Sequence, residues 1–319
     1  MAERRRMRIA SLLGPLIGLV LVSAFFAILE PDTFLSTYNL QTIAAQTVIV
    51  GLGAIGMTFV IVSAGIDLSP GSVIALASVV TALALRDGWS PSMAALAGVA
   101  SGAAFGLVNG LLITGLRVVP FIVTLGTMGI ARGMATWLAG EQKIDAPAHW
   151  LASVMEKTPS HAWLLVAPGT WIMFGLAIVA SFVLMRTVFG VQTYAIGSNE
   201  STARLCGVRV PRVKIVIYTL AGLFAGLAGV MQYARLTVGD PTTALGKELD
   251  IIAAVVIGGA SLEGGVGGIG GSIIGAFLMS VLADGCTLTG VPNYVQQIVI
   301  GAIIVVAVAV DRVRSRRRA

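Results

Sequence analysis

Apolar stretches of the order of 20 residues, separated by short polar breaks, fill most of this 319-residue chain. A helix needs about 20 largely apolar residues to cross the hydrocarbon core of a bilayer. Here such stretches are the rule. Charge is correspondingly scarce: 56% of residues are apolar and 11% charged, against about 25% charged in soluble domains. A water-facing surface cannot be built from so few charges, so the chain reads as one all-α integral membrane domain, 1–319. Its longest polar segments are 140–163 and 186–214, too short for a separate soluble domain.

The net charge of +6 does not point to nucleic acid. Basic residues gather at Arg4, Arg5, Arg6 and Arg8, and again at Arg312, Arg314, Arg316, Arg317 and Arg318; beside apolar helices these read as cytoplasmic anchors on anionic lipid. The apolar run Ile9 to Leu29 is longer than a signal-peptide core and no small-x-small site follows it, so it is expected to be an uncleaved first span. Further spans are expected near 42–63, 71–85, 92–115, 119–138, 165–185, 215–234, 250–262, 268–283 and 294–310. With the N-terminus inside, the inner segments hold fifteen of the 21 basic residues, the outer segments five, and Arg132 lies within the fifth span. The positive-inside rule therefore favours about ten transmembrane helices with N- and C-termini cytoplasmic; a count of eight, without the weak eighth and ninth spans, also puts both ends inside. On that topology 186–214 is a cytoplasmic loop and 140–163 a periplasmic one. Cys206 and Cys286 fall on opposite sides, so no bridge joins them. Glycines at four-residue spacing (Gly102, Gly106, Gly110; Gly267, Gly271, Gly275; Gly222, Gly226) predict close helix packing.

Tyr194 to Lys214 is the most informative segment. Asn199 or Ser198 can cap a short helix through Leu205, Gly207 can end it, and Pro211 can begin the next. Such a helix, rimmed by Arg204, Arg209, Arg212 and Lys214, suits docking onto another protein or, equally, anchoring on lipid. A second segment, AGIDLSPGS at 64–72, breaks two spans. Irregular backbone near membrane depth must be satisfied by protein or a water-filled cavity, and an acid there faces a pathway or a partner, so Asp67 is a gate or coupling candidate unless it merely caps the third span at the surface. Gln46, Asn109, Thr124, Thr127, Arg132 and Gln232 are the sparse polar residues within spans. They can line a hydrophilic path with hydroxyl-matching donors and acceptors, or tie helices together.

Catalysis finds no support. His149 and His161 match no strong metal spacing. Gly265-x-Gly267-x-x-Gly270 has the form of a dinucleotide fingerprint but no soluble strand or parallel sheet around it, and Gly271 stands where a phosphate-binding loop needs Lys. ATP chemistry must come from another polypeptide. No span carries the run of Asp, Glu or His expected of a proton relay, which weighs against an ion-coupled carrier.

Four stretches in order, AGIDLSPGS at 64–72, VPFIVTLGTMGIARG at 119–133, YAIGSNESTARLCGVRVPRVK at 194–214 and VIGGASLEGGVGG at 256–268, resemble the permease subunits of ribose- and xylose-type ABC importers, a group that includes branched-chain amino-acid permeases. The resemblance covers nearly the whole chain. It implies a type II ABC importer-like permease of the bacterial inner membrane, not an enzyme, carrying a monosaccharide-like solute. It further implies dimerisation, a cytoplasmic ATPase that holds the ATP and Mg, and a periplasmic sugar-binding protein. Ser198, Asn199, Ala203, Arg204 and Gly207 fall on the pattern of the ATPase-coupling element, and Asp67 and Ser69 on the GIDLS pattern near the pathway. The chain departs from that family at Val266 and Asp284, in positions where relatives often carry Arg and Asn. A branched-chain amino-acid permease and an ion-coupled secondary carrier are the alternatives.

Overall fold

The computed structural model describes residues 2–147, 150–157 and 164–316. His149, His161, Arg317 and Arg318 lie outside them, as do the side chains of Arg4, Arg5, Arg6, Arg8, Arg312, Arg314 and Arg316. Fourteen helices are described in order: α1 (Ala2–Leu29), α2 (Pro31–Phe34), α3 (Thr37–Val62), α4 (Pro70–Arg86), α5 (Pro91–Leu116), α6 (Pro120–Ala139), α7 (Trp150–Ser153), α8 (Pro168–Arg186), α9 (Val188–Ser198), α10 (Glu200–Leu205), α11 (Val210–Leu236), α12 (Lys247–Ile257), α13 (Ile269–Leu288) and α14 (Asn293–Arg316). Among the described residues the only strands form a two-residue antiparallel ladder, β1 (Ile144–Asp145) against β2 (Val238–Gly239).

Local chemistry explains where the helices start and stop. Ser36 and Ser90 cap α3 and α5, accepting from the amides of Asn39 at 3.2 Å and Met93 at 3.4 Å. Proline stands in the first turn of α4, α5, α6, α8 and α11, where its missing N–H costs nothing.

Among the described residues, seven helices (the 12–29 part of α1, with α3, α5, α6, α8, α11 and α13) are long and apolar enough to cross a membrane, and α4 and the 293–306 part of α14 are shorter apolar helices. The chain is thus an all-α integral membrane protein in outline. The α3 span is 94% buried and the α1 span 11%, so an apolar helix at the centre carries the core while α1 turns most of its apolar surface outward.

The packing defines two ends of the bundle. The α3 C-terminus meets α9 and the 258–267 break: the Gly265 amide donates to the Val62 carbonyl at 2.9 Å, and the Gly197 backbone lies against that same carbonyl. This is the platform end. Helix α11 leaves it and α5 returns antiparallel, with Gly102 against Gly226 and Gly222, Gly106 against Gly222 and Gly110 against Ile215. A Cβ on Gly106 would sit 2.9 Å from Gly222 Cα, so the predicted glycine spacing works as a backbone-to-backbone seam. The Gly271 and Gly275 pair does the same against α12, at Gly258 and Ala254.

Span eight differs from the expectation at 250–262. Helix α12 has 11 residues, about 16 Å, roughly half the 30 Å hydrocarbon thickness. The irregular segment 237–246 supplies the remainder, descending from the α11 C-terminus along α4: Gly239 abuts Ala82 and Val79, whereas Ala244 and Glu248 abut Gly71. The 63–69 segment enters from the platform end in the same manner and leads into α4. Two broken helices therefore enter from opposite ends, and their N-termini meet inside the bundle.

Candidate functional site

The polar residues of the spans separate into two groups. Asp67, Ser69, Asn109, Thr124 and Thr127 are all at most 3% exposed and bond one another. Asp67 Oδ1 accepts from the Ser69 amide at 2.8 Å and from Ser69 Oγ at 2.6 Å, which turns the chain into α4. Ser69 Oγ in turn accepts from Asn109 Nδ2 at 3.1 Å, and Asn109 Oδ1 accepts from Thr127 Oγ1 at 2.6 Å. Thr124 Oγ1 reaches the Ile66 carbonyl at 3.4 Å. The network ties the 63–69 break to α5 and α6, and Asp67 lies inside the bundle rather than at its surface. In this conformation these side chains satisfy each other, as buried polar groups must.

Arg132 holds the second break. Its Nη1 donates to the carbonyls of Pro241 at 2.6 Å and Thr243 at 2.8 Å, groups that no helix ladder satisfies. Glu248, in the first turn of α12, lies close enough for an electrostatic interaction with this guanidinium. A carboxylate there suits the positive end of the helix. The sequence offered one signal, a lone arginine in a span, but not the partner.

Gln46 and Gln232 form the second group. Both line a cavity of about 80 Å³ among α3, α11, α12 and α13, together with Arg235, Lys247, Asp250 and Ser280. It lies in the half of the bundle remote from the platform, since Gln232 and Arg235 occupy the last two turns of α11. Lys247 Nζ pairs with Asp250 Oδ2 at 2.6 Å, and Gln232 Nε2 donates to Thr243 Oγ1 at 2.6 Å.

At the platform end, α10 forms at the expected place. Asn199 caps it, accepting from the Thr202 amide at 2.9 Å. Gly207, at φ +84°, adopts the left-handed conformation that lets the chain turn into α11. Ser198 closes α9. Arg204 is exposed and pairs with Glu200 at 2.5 Å, while Lys214 of α11 pairs with the same carboxylate at 2.7 Å. Burial raises the Glu200 pKa, but the hydrogen bonds and charges of Lys214 and Arg204 outweigh it and hold the carboxyl below its usual range. Ala203 points inward, 3% exposed, and seats the helix on the core. The residue that sequence reasoning passed over is Leu205, which is 89% exposed between Arg204 and Arg209. A large apolar side chain held out on a rim of cations is the pattern of a protein contact. The platform is also wired inward: Tyr194 Oη donates to the Gly267 carbonyl at 2.7 Å, so α9, the 258–267 segment and the α3 C-terminus share one junction.

Residues 39–308 match the family model described as "Branched-chain amino acid transport system / permease component". The chain belongs to this permease family. Among its relatives, the ribose import permease protein RbsC of Bacillus subtilis (strain 168) is 41% identical over 95% of this chain and 93% of its own length. The protein of the same name from Escherichia coli (strain K12) is 39% identical over 93% and 92%, and the L-arabinose ABC transporter permease protein AraH of Azospirillum brasilense is 33% identical over 96% and 88%. No solved structure gives a significant match. The permease is accordingly a multi-pass inner-membrane transport subunit, not an enzyme.

Proposed function

We propose that this permease translocates a monosaccharide-like solute as a subunit of an ATP-binding-cassette importer, in a ten-span arrangement with both chain ends and the 186–214 platform cytoplasmic. The carrying observation is the platform itself: a capped helix that presents Leu205 and Arg204 outward and is linked through α9 to the 258–267 segment, which is in turn bonded to the α3 C-terminus where the 63–69 break begins. A cytoplasmic ATPase, which holds ATP and Mg, grips α10. Ser198, Asn199 and Gly207 shape the helix, Ala203 seats it, and Arg204 and Leu205 make the contact. Movement of α9 then displaces the Val62–Gly265 junction, and the breaks at 63–69 and 237–246 change partners so that the pathway alternates between its two openings. In that open state Asp67, Ser69, Asn109, Thr124 and Thr127 exchange mutual bonds for water or solute. Two copies of the chain enclose the pathway, and a periplasmic sugar-binding protein delivers the load at the end opposite the platform.

The names of the relatives favour a sugar, including ribose, L-arabinose and D-allose, over the amino acids of the wider family's description. The test is uptake into proteoliposomes holding the permease with its ATPase and binding protein. Labelled ribose, arabinose or allose is expected to accumulate with ATP inside the pathway's ATPase compartment, and labelled leucine is not. Leucine uptake in place of sugar establishes the amino-acid reading. Uptake by the purified chain alone, on an ion gradient without ATP, establishes a secondary carrier.

A further inference from the structure

The cavity between α3, α11, α12 and α13 carries more polar capacity than the fold uses. Ser280 is 3% exposed and lines the cavity, yet its hydroxyl has no hydrogen-bond partner among the described residues. Asp284, one helical turn further on, is also buried, and its Oδ2 has no hydrogen-bond partner among the described residues. Arg235 interacts electrostatically with Asp284 and forms no ion pair within 4 Å among the described residues. Buried polar groups left unpartnered are exceptional in folded proteins and call for a water or a ligand. Such a hydroxyl on the wall of a cavity that Gln46, Gln232, Arg235, Lys247 and Asp250 also line is a built site.

The chemistry of the lining selects the ligand class. Lys247 is paired with Asp250 within the lining, and Arg235 interacts with Asp284, which lies outside the lining, so the local charge favours a neutral molecule over an anion or a cation. Gln46 and Ser280 offer donors and acceptors at once, the pattern that matches hydroxyl groups, and Ile49, Val50 and Met279 give an apolar wall for a sugar ring's C–H face. At about 80 Å³ the space holds a few waters but is smaller than a typical ligand pocket, so a solute occupies it only after the 237–246 segment has moved. Ala244 and Lys247, at the end of that segment, form part of the lining.

We infer that this cavity is a transit subsite for a neutral polyhydroxylated solute, at which the permease itself discriminates among sugars through Gln46, Gln232, Arg235, Asp250 and Ser280. The inference rests on the sugar-importer reading above. It adds a selecting site within the membrane subunit to whatever selection the delivery protein exerts.

The experiment uses the reconstituted importer and reads sugar transported per ATP hydrolysed, for labelled ribose, arabinose and allose in parallel. Ser280→Ala together with Gln46→Leu is expected to lower that ratio about tenfold, with unequal effects on the three sugars, because each removes about one hydrogen bond to the solute. Ratios unaltered for all three sugars overturn the subsite while leaving the importer reading intact. A wild-type complex that moves none of the three overturns the importer reading and this one with it. Should the double variant fail to assemble, as shown by loss of ATP hydrolysis stimulated by the loaded binding protein, Ser280→Ala alone, which removes a single oxygen, decides by the same ratio.

Discussion

Arg132 shows how one side chain can license an irregular membrane passage. Backbone carbonyls at membrane depth cannot be left to lipid, and those of Pro241 and Thr243 both find the same Nη1. Arg132→Met removes that donor and leaves two carbonyls short of a partner, each costing about 1–3 kcal/mol. The variant is expected to be destabilised by about 3 kcal/mol, read as a lowered denaturant midpoint in detergent, with Arg132→Lys recovering part of the loss because an ammonium can still reach a carbonyl. An unshifted midpoint for Arg132→Met removes the guanidinium from this role. Asn109 works by a different logic. Its amide donates to Ser69 and accepts from Thr127, so it joins α4, α5 and α6 using both of its polar atoms. Asparagine supplies that pair of roles and an aliphatic residue neither.

Among the elements, α10 is the shortest that carries a proposed contact, and six residues cannot hold a helix by propensity alone. It is held instead by the Asn199 cap, by Ala203 in the core and by the Glu200 carboxylate shared between Arg204 and Lys214. The last of these depends on pH. Because the folded state depresses the Glu200 pKa, its stabilising contribution is fully present above the unfolded carboxylate value of about 4.3 and is lost as pH falls through the folded value. Amide protection over 200–205, corrected for intrinsic exchange, is therefore expected to fall below about pH 4.3 in the wild type. Glu200→Gln should be less protected at neutral pH and lack that acid step. The same step persisting in Glu200→Gln assigns it to another group.

At the scale of the whole molecule, the two broken helices entering from opposite ends give the bundle a meeting point at mid-depth, where α4 and α12 begin and where Gly71 leaves room for Glu248. Discontinuous helices whose N-termini converge inside a membrane protein are a recurrent way of building a transport site. The orientation of the whole is testable through its two cysteines, since Cys206 is exposed on the platform and Cys286 is buried. A membrane-impermeant maleimide is expected to label Cys206 in inside-out vesicles and not in intact cells, with Cys286 unlabelled in both. Labelling of Cys206 in intact cells places the platform outside and ends the coupling scheme. Membrane class, the long apolar helices, the breaks at 64–72 and 258–272 and the capped α10 were legible in the residues, because each follows from local composition: apolar run length, proline and glycine at ends, a capping side chain before a short helix. What only the tertiary structure decided is which polar groups meet. Arg132 finds its carbonyls 109 and 111 residues away, α12 begins only half-way through its passage, and Gln46 and Gln232 part company from Asn109 and Thr127. Those outcomes depend on the rotation and depth of each helix in the bundle, which are set by packing against neighbours and have no expression in a one-dimensional pattern.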